Sequence, residues 1–166
     1  MKIELNKIPS DFNADSKVWI FQSNRNHTEI ECEEINMQLH NFYSQWQSHG
    51  KDVKGWAEIL FQRFVVVIAD ENISDVSGCS TDGMTRIIKS FENQYAVNFF
   101  DRLMLSFYIK EKVETLPLNQ VKYALENGIL KTDTLFFNHL VDNKQKLETE
   151  WLVPLDKSWL WQRIIN

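Results

Sequence analysis

The sequence predicts an α+β fold in which helices pack in a layer on a mixed β-sheet. Short apolar runs rich in β-branched residues alternate along the chain with longer segments whose apolar residues recur at helical spacing. The predicted order of strand, helix, optional strand, strand, helix and strand is that of a ferredoxin-like layer, followed by an added helix, strand and helix. An open three-layer α/β sheet is the alternative architecture that this order allows.

The first predicted strand and helix have polar boundaries. Residues 18–21 form a buried apolar run that lies before a polar turn at residues 22–26. Thr28 and Glu31 then match a capping box, which predicts the start of a helix. The apolar residues that follow fall on one face of that helix, namely Ile35, Leu39, Phe42, Tyr43 and Trp46. We expect the helix to end at Gly50.

The clearest strand covers residues 64–69, because a continuous β-branched run is typical of a central strand that is covered on both faces. Residues 56–61 fit either a paired strand or a helical turn, since no glycine or asparagine marks a hairpin before Phe64. A second amphipathic helix is predicted from the spacing of Met84, Ile87, Ile88, Phe91 and Tyr95. Alternation then predicts a strand that includes Leu103, Leu105, Phe107 and Ile109.

The last third of the chain predicts three further elements. Residues 117–127 are predicted to be helical, with Gly128 as the stop. A strand is predicted at residues 135–141 and a helix at residues 143–151. No repeat, low-complexity tract or flexible linker precedes this part, so we expect one domain that covers residues 1–166.

Composition narrows the class of protein. Apolar residues make up 43% of the 166 residues and charged residues 25%, which is typical of a globular chain. The net charge of −5 disfavours nucleic acid as the main partner, because phosphate binding needs a basic surface. The longest apolar run, residues 64–69, is too short to cross a membrane, and the first residues lack the apolar segment of a secretory signal. We therefore expect a cytoplasmic protein whose cysteines are free thiols.

The loop predicted at residues 70–83 is the candidate binding site, because it is much longer than the roughly 2 to 6 residues usual before a helix. We expect parallel first and third strands, so that this loop and the turn at residues 22–26 leave the same end of the sheet. Arg25 would then clamp an anion held by N–H and hydroxyl groups at the start of the second helix. These groups belong to Ser77, Gly78, Cys79, Ser80 and Thr81. The expected function is binding of a small molecule that carries a phosphate or a carboxylate.

An enzyme that uses the same pocket is the first alternative. Asp70, Glu71 and Asp82 place carboxylates near the loop, and Mg²⁺ is the cation that would bridge them to a phosphate. Cys79 would instead act as a nucleophile, because a helix start stabilises a thiolate. His49 is the candidate base, but we expect it roughly 25 to 30 Å away, at the far end of the first helix. Capping of the second helix without any ligand is the remaining interpretation of this loop.

A protein-interaction module is the second alternative. Trp151, Trp159 and Trp161 cluster near the C-terminal end, where they would anchor a homodimer or a partner, or pack over the core as a terminal segment. The histidines and cysteines lack the spacing of zinc ligands, and Gly50 and Lys51 are not part of a Walker A motif. No P-loop nucleotide site is therefore predicted.

Several segments together resemble a bacterial family of uncharacterised proteins, some members of which are labelled "ABC transporter ATPase". The segments are VWIFQSNR at residues 18–25, WQSHG at 46–50, SGCSTD at 77–82, DTLFFN at 133–138 and SWL at 158–160. The resemblance covers nearly the whole chain. The label implies a P-loop, which this chain lacks. The resemblance therefore implies a family without assigning a catalytic role to any residue.

Overall fold

A computed structural model describes residues 2–71, 76 and 78–165 of the chain. The chain divides into two compact units, of which unit 1 contains Met1–Asp101 and Asp142–Gln145, and unit 2 contains Arg102–Val141 and Lys146–Asn166. Helices pack with antiparallel sheets, which confirms the α+β class. The expectation of a single domain over residues 1–166 stays a prediction. Within the described residues, no helix has both the length and the apolar character that a membrane span requires.

Unit 1 contains the first elements of the chain. In order they are α1 (Lys2–Leu5), β1 (Lys17–Gln22), α2 (Glu29–Ser44), β2 (Gln47–Ser48), β3 (Lys51–Asp52), β4 (Lys54–Leu60), β5 (Phe64–Asp70) and α3 (Gly78–Tyr95). The larger sheet has the order β1-β5-β4, and β2 pairs with β3 in a short ribbon. Predicted strands 18–21 and 64–69 are confirmed as β1 and β5.

The core of unit 1 is organised around β5. All of its residues are buried, as expected for a strand covered on both faces. On one face, Val65 and Val67 belong to a cluster with residues of α2 and α3, among them Ile35, Leu39, Ile88 and Phe91. Burial of this cluster supplies most of the free energy that holds the two helices on the sheet.

The first and third predicted strands are neighbours, but the expectation that they are parallel is wrong. β1 pairs with β5 antiparallel, with Trp19 opposite Val67. The reason lies in the connections: α2 returns the chain so that β4 runs in the direction of β1, and the tight hairpin then reverses β5. The turn after β1 and the loop after β5 therefore leave opposite ends of the sheet.

The stretch that the sequence left open, residues 56–61, lies mainly in β4 and is a strand up to Leu60. Phe61 and Gln62 form the hairpin turn to β5 with φ angles of 53° and 55°, a left-handed conformation that usually calls for asparagine or glycine. The Arg63 N–H closes the turn on the Leu60 carbonyl at 3.0 Å. Because neither favoured residue is present, the sequence carries no signal for this hairpin.

Helix α2 begins as predicted and ends earlier. Thr28 caps it, and the reciprocal bonds with Glu31 of a capping box are both present. The helix ends at Ser44, so the expectation that it reaches Gly50 is wrong. Gly50, at φ 75°, instead shares with His49 the turn between β2 and β3, because the chain pairs Ser48 with Lys51 before the helix would have stopped.

Unit 2 is built around a second sheet, of order β7-β6-β8-β9. Its elements, including the end of a helix that begins in unit 1, are β6 (Met104–Ile109), β7 (Lys112–Pro117), α4 (Leu118–Glu126), β8 (Leu135–Phe137), α5 (Lys144–Glu150), β9 (Leu152–Pro154), a 3-10 turn (Leu155–Lys157) and α6 (Trp159–Ile165). Phe107 and Phe136 lie in its core, together with Val121, Leu130, Leu155 and Leu160. The predicted fourth strand, β6, thus pairs in this sheet rather than beside β1.

The predicted C-terminal elements are present with shifted bounds. The helix at 117–127 is α4, followed by Gly128 at φ 68° as expected for a helix stop. The strand predicted at 135–141 ends at Phe137, and the helix predicted at 143–151 is α5. Strands β7 and β9 and helix α6 were not predicted, because no glycine marks the turns that precede them.

Candidate functional site

Arg25 lies at the wrong end of α3 for the predicted anion clamp. Its guanidinium donates to the carbonyl oxygen of Tyr95, the last residue of α3, at 3.0 Å. At 1.5 Å per residue, the start of this helix is about 25 Å away. The predicted meeting of the two turns is therefore wrong, because β1 and β5 are antiparallel.

The loop at residues 70–83 is also shorter than predicted. Helix α3 begins at Gly78, so the second half of the predicted loop is helical. Ser77 lies outside the described residues, as does the side chain of Cys79. Ser80 is buried and donates its hydroxyl to the carbonyl of Gln47 at 3.0 Å, while Thr81 is half-buried. The buried, hydrogen-bonded Ser80 helps to hold the start of this helix, although Gly, Ser, Thr and Asp have weak helix propensity.

The three carboxylates predicted to hold a metal each have a different environment. Asp70 is buried and accepts a hydrogen bond from the Asn13 amide at 2.9 Å. Glu71 pairs with Lys17 at 2.7 Å, and Asp82 is exposed on α3. Among the residues that the structure describes, no group of three or more His, Cys, Asp and Glu side chains is arranged to hold a metal ion. The Mg²⁺ hypothesis stays a prediction.

A groove lies where the end of α2 meets the first turns of α3. We call it the α2–α3 groove; its volume is about 250 Å³ and it is lined by Asn41, Phe42, Gln45, Trp46, Gln47, Ser80 and Gly83. Trp46 is buried and its indole N–H donates to the Ser80 carbonyl at 3.2 Å. This bond and the Ser80 hydroxyl bond to Gln47 hold both sides of the groove together.

The lining of the α2–α3 groove is aromatic and uncharged. The Phe42 and Trp46 rings lie with their centroids 5.2 Å apart, and Asn41 and Gln45 add side-chain amides, while the Gln47 amide donates to Asp52 at 2.9 Å. Each amide both donates and accepts hydrogen bonds. Gly83 leaves room above Phe42, since a Cβ placed there would be 3.7 Å from Phe42 Cε2. The groove therefore offers an apolar surface edged by neutral hydrogen-bonding groups.

The expected distance between His49 and the start of α3 is wrong. Gln47, two residues before His49, contacts Ser80 in the first turn of α3. The antiparallel pairing of β1 and β5 makes α2 end where α3 begins. His49 is exposed in the β2–β3 turn, and the Cys79 side chain lies outside the described residues, so Cys79 as a nucleophile stays a prediction.

Sequence reasoning missed a second cluster, around His27. The His27 ring is buried, with Nε2 at 2.9 Å from the Ser23 hydroxyl and Nδ1 at 3.4 Å from a carboxylate oxygen of Glu31. Arg25 donates two hydrogen bonds to the Glu31 carboxylate, at 2.8 and 2.7 Å. Ser23, His27 and Glu31 follow one another at intervals of four residues, and this spacing is the sequence signal for the cluster. From the sequence, Thr28 and Glu31 were interpreted only as a helix cap.

Electrostatics differ between the members of this cluster. Burial lowers the pKa of His27, and the nearby charge of Arg25 lowers it further. The hydrogen bonds from Arg25 lower the pKa of Glu31 to about 2. Burial raises the pKa of the neighbouring Cys32 thiol to about 11, so this cysteine is not a nucleophile at neutral pH. At neutral pH the cluster therefore holds a neutral imidazole beside a carboxylate and a guanidinium.

The row of Ser23, His27 and Glu31 has the order of a catalytic triad, but not its accessibility. Ser23 is 0% exposed, and its backbone N–H donates to the Arg63 carbonyl at 2.9 Å. The Arg63 side chain donates in return to the Ser23 carbonyl at 3.0 Å. A nucleophile needs an open approach for substrate. In this conformation the row supports the β1–α2 turn instead of presenting a reactive hydroxyl.

Comparison of the chain with models of known protein families, with curated proteins and with solved structures finds no match. The resemblance to a bacterial family labelled "ABC transporter ATPase" thus stays a prediction.

Proposed function

We propose that the protein binds a small organic carboxylate in the α2–α3 groove. The observation that carries the proposal is the position of the groove: it opens beside Ser80, within the segment that the sequence singles out for anion binding. The positive end of the α3 dipole favours a negative group there. The rest of the ligand would lie against Phe42 and Trp46.

A carboxylate fits this lining better than a phosphate does. None of the described residues that line the groove is a cation, so a phosphate dianion would lose hydration without a counter-charge. A carboxylate carries one charge, which amide donors and a helix start can satisfy. This proposal replaces Arg25 by the amides of Asn41 and Gln45 as the groups that orient the ligand, since the Gln47 amide already donates to Asp52 at 2.9 Å.

The experiment is a thermal-shift and NMR titration of the protein with benzoate, phenylacetate, acetate and inorganic phosphate. We expect the aromatic carboxylates to raise the melting temperature, because a ligand at 100 times its dissociation constant stabilises the native protein by about 2.7 kcal/mol. They should also shift the Trp46 indole N–H resonance, because Trp46 lines the groove. Gly83→Leu should abolish both effects by filling the groove.

Gly83→Ala is the matched control, since its methyl group makes an ordinary contact with Phe42 and leaves the groove open. Equal binding by the Leu and Ala variants would place the site elsewhere. A larger response to phosphate than to any carboxylate would contradict the assignment of the ligand class.

Two further properties belong to this proposal. We infer that the protein acts in the cytosol, on a small molecule rather than a nucleic acid, in keeping with its net charge of −5. We also propose a homodimer anchored by Trp159, which is 36% exposed; Trp151 is fully buried and Trp161 packs against the core of unit 2, so these two are not anchors. Sedimentation velocity over a range of concentrations tests that assembly.

A further inference from the structure

Polar contacts join the turn after β1 to the end of α3. Arg25 bridges the two, because it bonds both Glu31 in the first turn of α2 and the carbonyl of Tyr95. Beside it, the Asn24 N–H donates to the Asn98 carbonyl at 2.9 Å, and the Asn98 N–H donates back to the Asn24 side chain at 3.0 Å. The start of α2 and the end of α3 are thus held together by a small number of hydrogen bonds.

His27 sits at the centre of these contacts. Its ring stacks on Phe99 with the planes 12° apart and meets the edge of Tyr95, both at a centroid distance of 5.7 Å. Only 2% of the residue is exposed. Nε2 is bonded to Ser23, while Nδ1 has no hydrogen-bond partner among the described residues, although Glu31 lies 3.4 Å away.

Charged groups face the imidazole from several elements. Arg25 lies in the turn before α2 and Glu31 in the first turn of α2, while Arg63 lies in the hairpin turn between β4 and β5. The Tyr95 phenol belongs to α3 and donates to Glu34 at 3.0 Å. Two guanidinium groups thus flank the ring, and the carboxylate that faces Nδ1 already accepts bonds from one of them.

We propose that His27 operates a proton-sensitive latch: with a neutral imidazole the start of α2 is locked to the end of α3, and protonation of the ring releases this contact. The latch consists of Ser23, Arg25, His27 and Glu31 together with the Tyr95 carbonyl.

The chemistry of release follows from the bonds present. A proton taken from solvent makes both ring nitrogens hydrogen-bond donors. Nδ1 then competes for the Glu31 carboxylate oxygen that already accepts hydrogen bonds from Arg25 and from the Thr28 N–H. It also adds a third positive charge beside Arg25 and Arg63 in a buried site. Both effects loosen Arg25, and with it the bond to the Tyr95 carbonyl. Burial lowers the pKa of His27, which keeps the latch closed at neutral pH.

The test is amide hydrogen exchange by NMR on the whole protein at pH 7.5 and 5.5, corrected for the intrinsic dependence on pH. We expect the amides of residues 28–31 and 95–99 to exchange several-fold faster at pH 5.5 than at pH 7.5. The largest acceleration possible is about tenfold, if the imidazole has an ordinary pKa of 6.5 once it is released. His27→Gln should remove this dependence, while His40→Gln, which alters an exposed histidine of the same helix, should retain it.

Unchanged protection of these amides in the native protein would overturn the proposal, and so would a loss of protection that persists in a folded His27→Gln protein. If that variant fails to fold, the native protein still decides the matter. The Cε1–H resonance of His27 must then titrate with the same midpoint as the amides of Tyr95 and Asn98, and a different midpoint would overturn the latch.

Discussion

Single residues decide how closely the elements of unit 1 approach one another. Gly55 in β4 lies beneath the buried Trp46, and a Cβ placed there would be 2.6 Å from Trp46 Cε3. Trp46 cannot move away easily, because its indole is hydrogen-bonded to Ser80. The absence of a side chain at Gly55 is therefore what allows the tryptophan to line the α2–α3 groove.

Alanine substitutions at two glycines test this difference. We expect Gly55→Ala to lower the free energy of unfolding by about 1 to 3 kcal/mol, the usual cost of overpacking a core. Gly83→Ala should raise it by about 0.5 to 1 kcal/mol, because its Cβ makes only an ordinary contact and alanine favours a helix. Urea denaturation of both variants gives the two values, and equal effects would contradict the packing described for Trp46.

Tight hairpins are the elements that depart most from common sequence patterns. Phe61 and Gln62 join β4 to β5, and Lys110 and Glu111 join β6 to β7, all with positive φ angles. Residues other than glycine and asparagine are costly in this conformation, by roughly 1 to 2 kcal/mol each. Pairing of the strands on both sides compensates for the strain, so these turns follow from the sheets rather than from local preference.

Two glutamates of the β6–β7 hairpin offer a matched test of this strain. Glu111→Gly should raise the free energy of unfolding by up to about 1 kcal/mol, because glycine adopts the φ of 63° without a Cβ clash. Glu114→Gly, which removes the same charge from an exposed position inside β7, should lower it by about 0.5 to 1 kcal/mol. Chemical denaturation followed by circular dichroism measures both, and a loss of stability in the Glu111 variant would refute strain in the turn.

Acid stability is a property of the whole molecule to which two histidines contribute, the buried His27 and the half-buried His139. Burial lowers the pKa of His139 to about 4 from an ordinary value of 6.5, and burial also lowers that of His27. Both rings are neutral when folded, so below pH 6.5 the unfolded chain binds more protons than the native protein does. The stability that they contribute is complete above pH 6.5 and is lost as the pH falls through the folded values.

We therefore expect the free energy of unfolding to decrease steadily from pH 7 to pH 4. His139→Gln should remove part of this slope, on the order of 2 kcal/mol between pH 6.5 and 4, because glutamine does not titrate. Below pH 4.5, protonation of Glu31 adds a further loss, since its hydrogen bonds from Arg25 hold its pKa at about 2. Urea titrations at several pH values measure the slope, and an identical slope in the His139 variant would exclude that residue as its source.

The sequence alone was sufficient for the α+β class, for β1, β5, α2 and α4, and for the capping box at Thr28. These features rest on local patterns: runs of β-branched residues, helical periodicity, and polar groups that satisfy free backbone N–H groups at a helix start. It also singled out the segment around Ser80, which lines the α2–α3 groove.

Strand direction and everything that depends on it were decided by the tertiary structure. No local pattern states whether β1 runs with or against β5, yet that choice places Arg25 at the end of α3 and brings Gln47 to its start. The tertiary structure also decides the environment of Ser23, His27 and Glu31, because the residues that bury the His27 ring, such as Tyr95 and Phe99, are distant from it in the sequence. Local sequence patterns determine which segments become helices and strands. The strand pairing that buries the most apolar surface then determines which of their side chains come into contact.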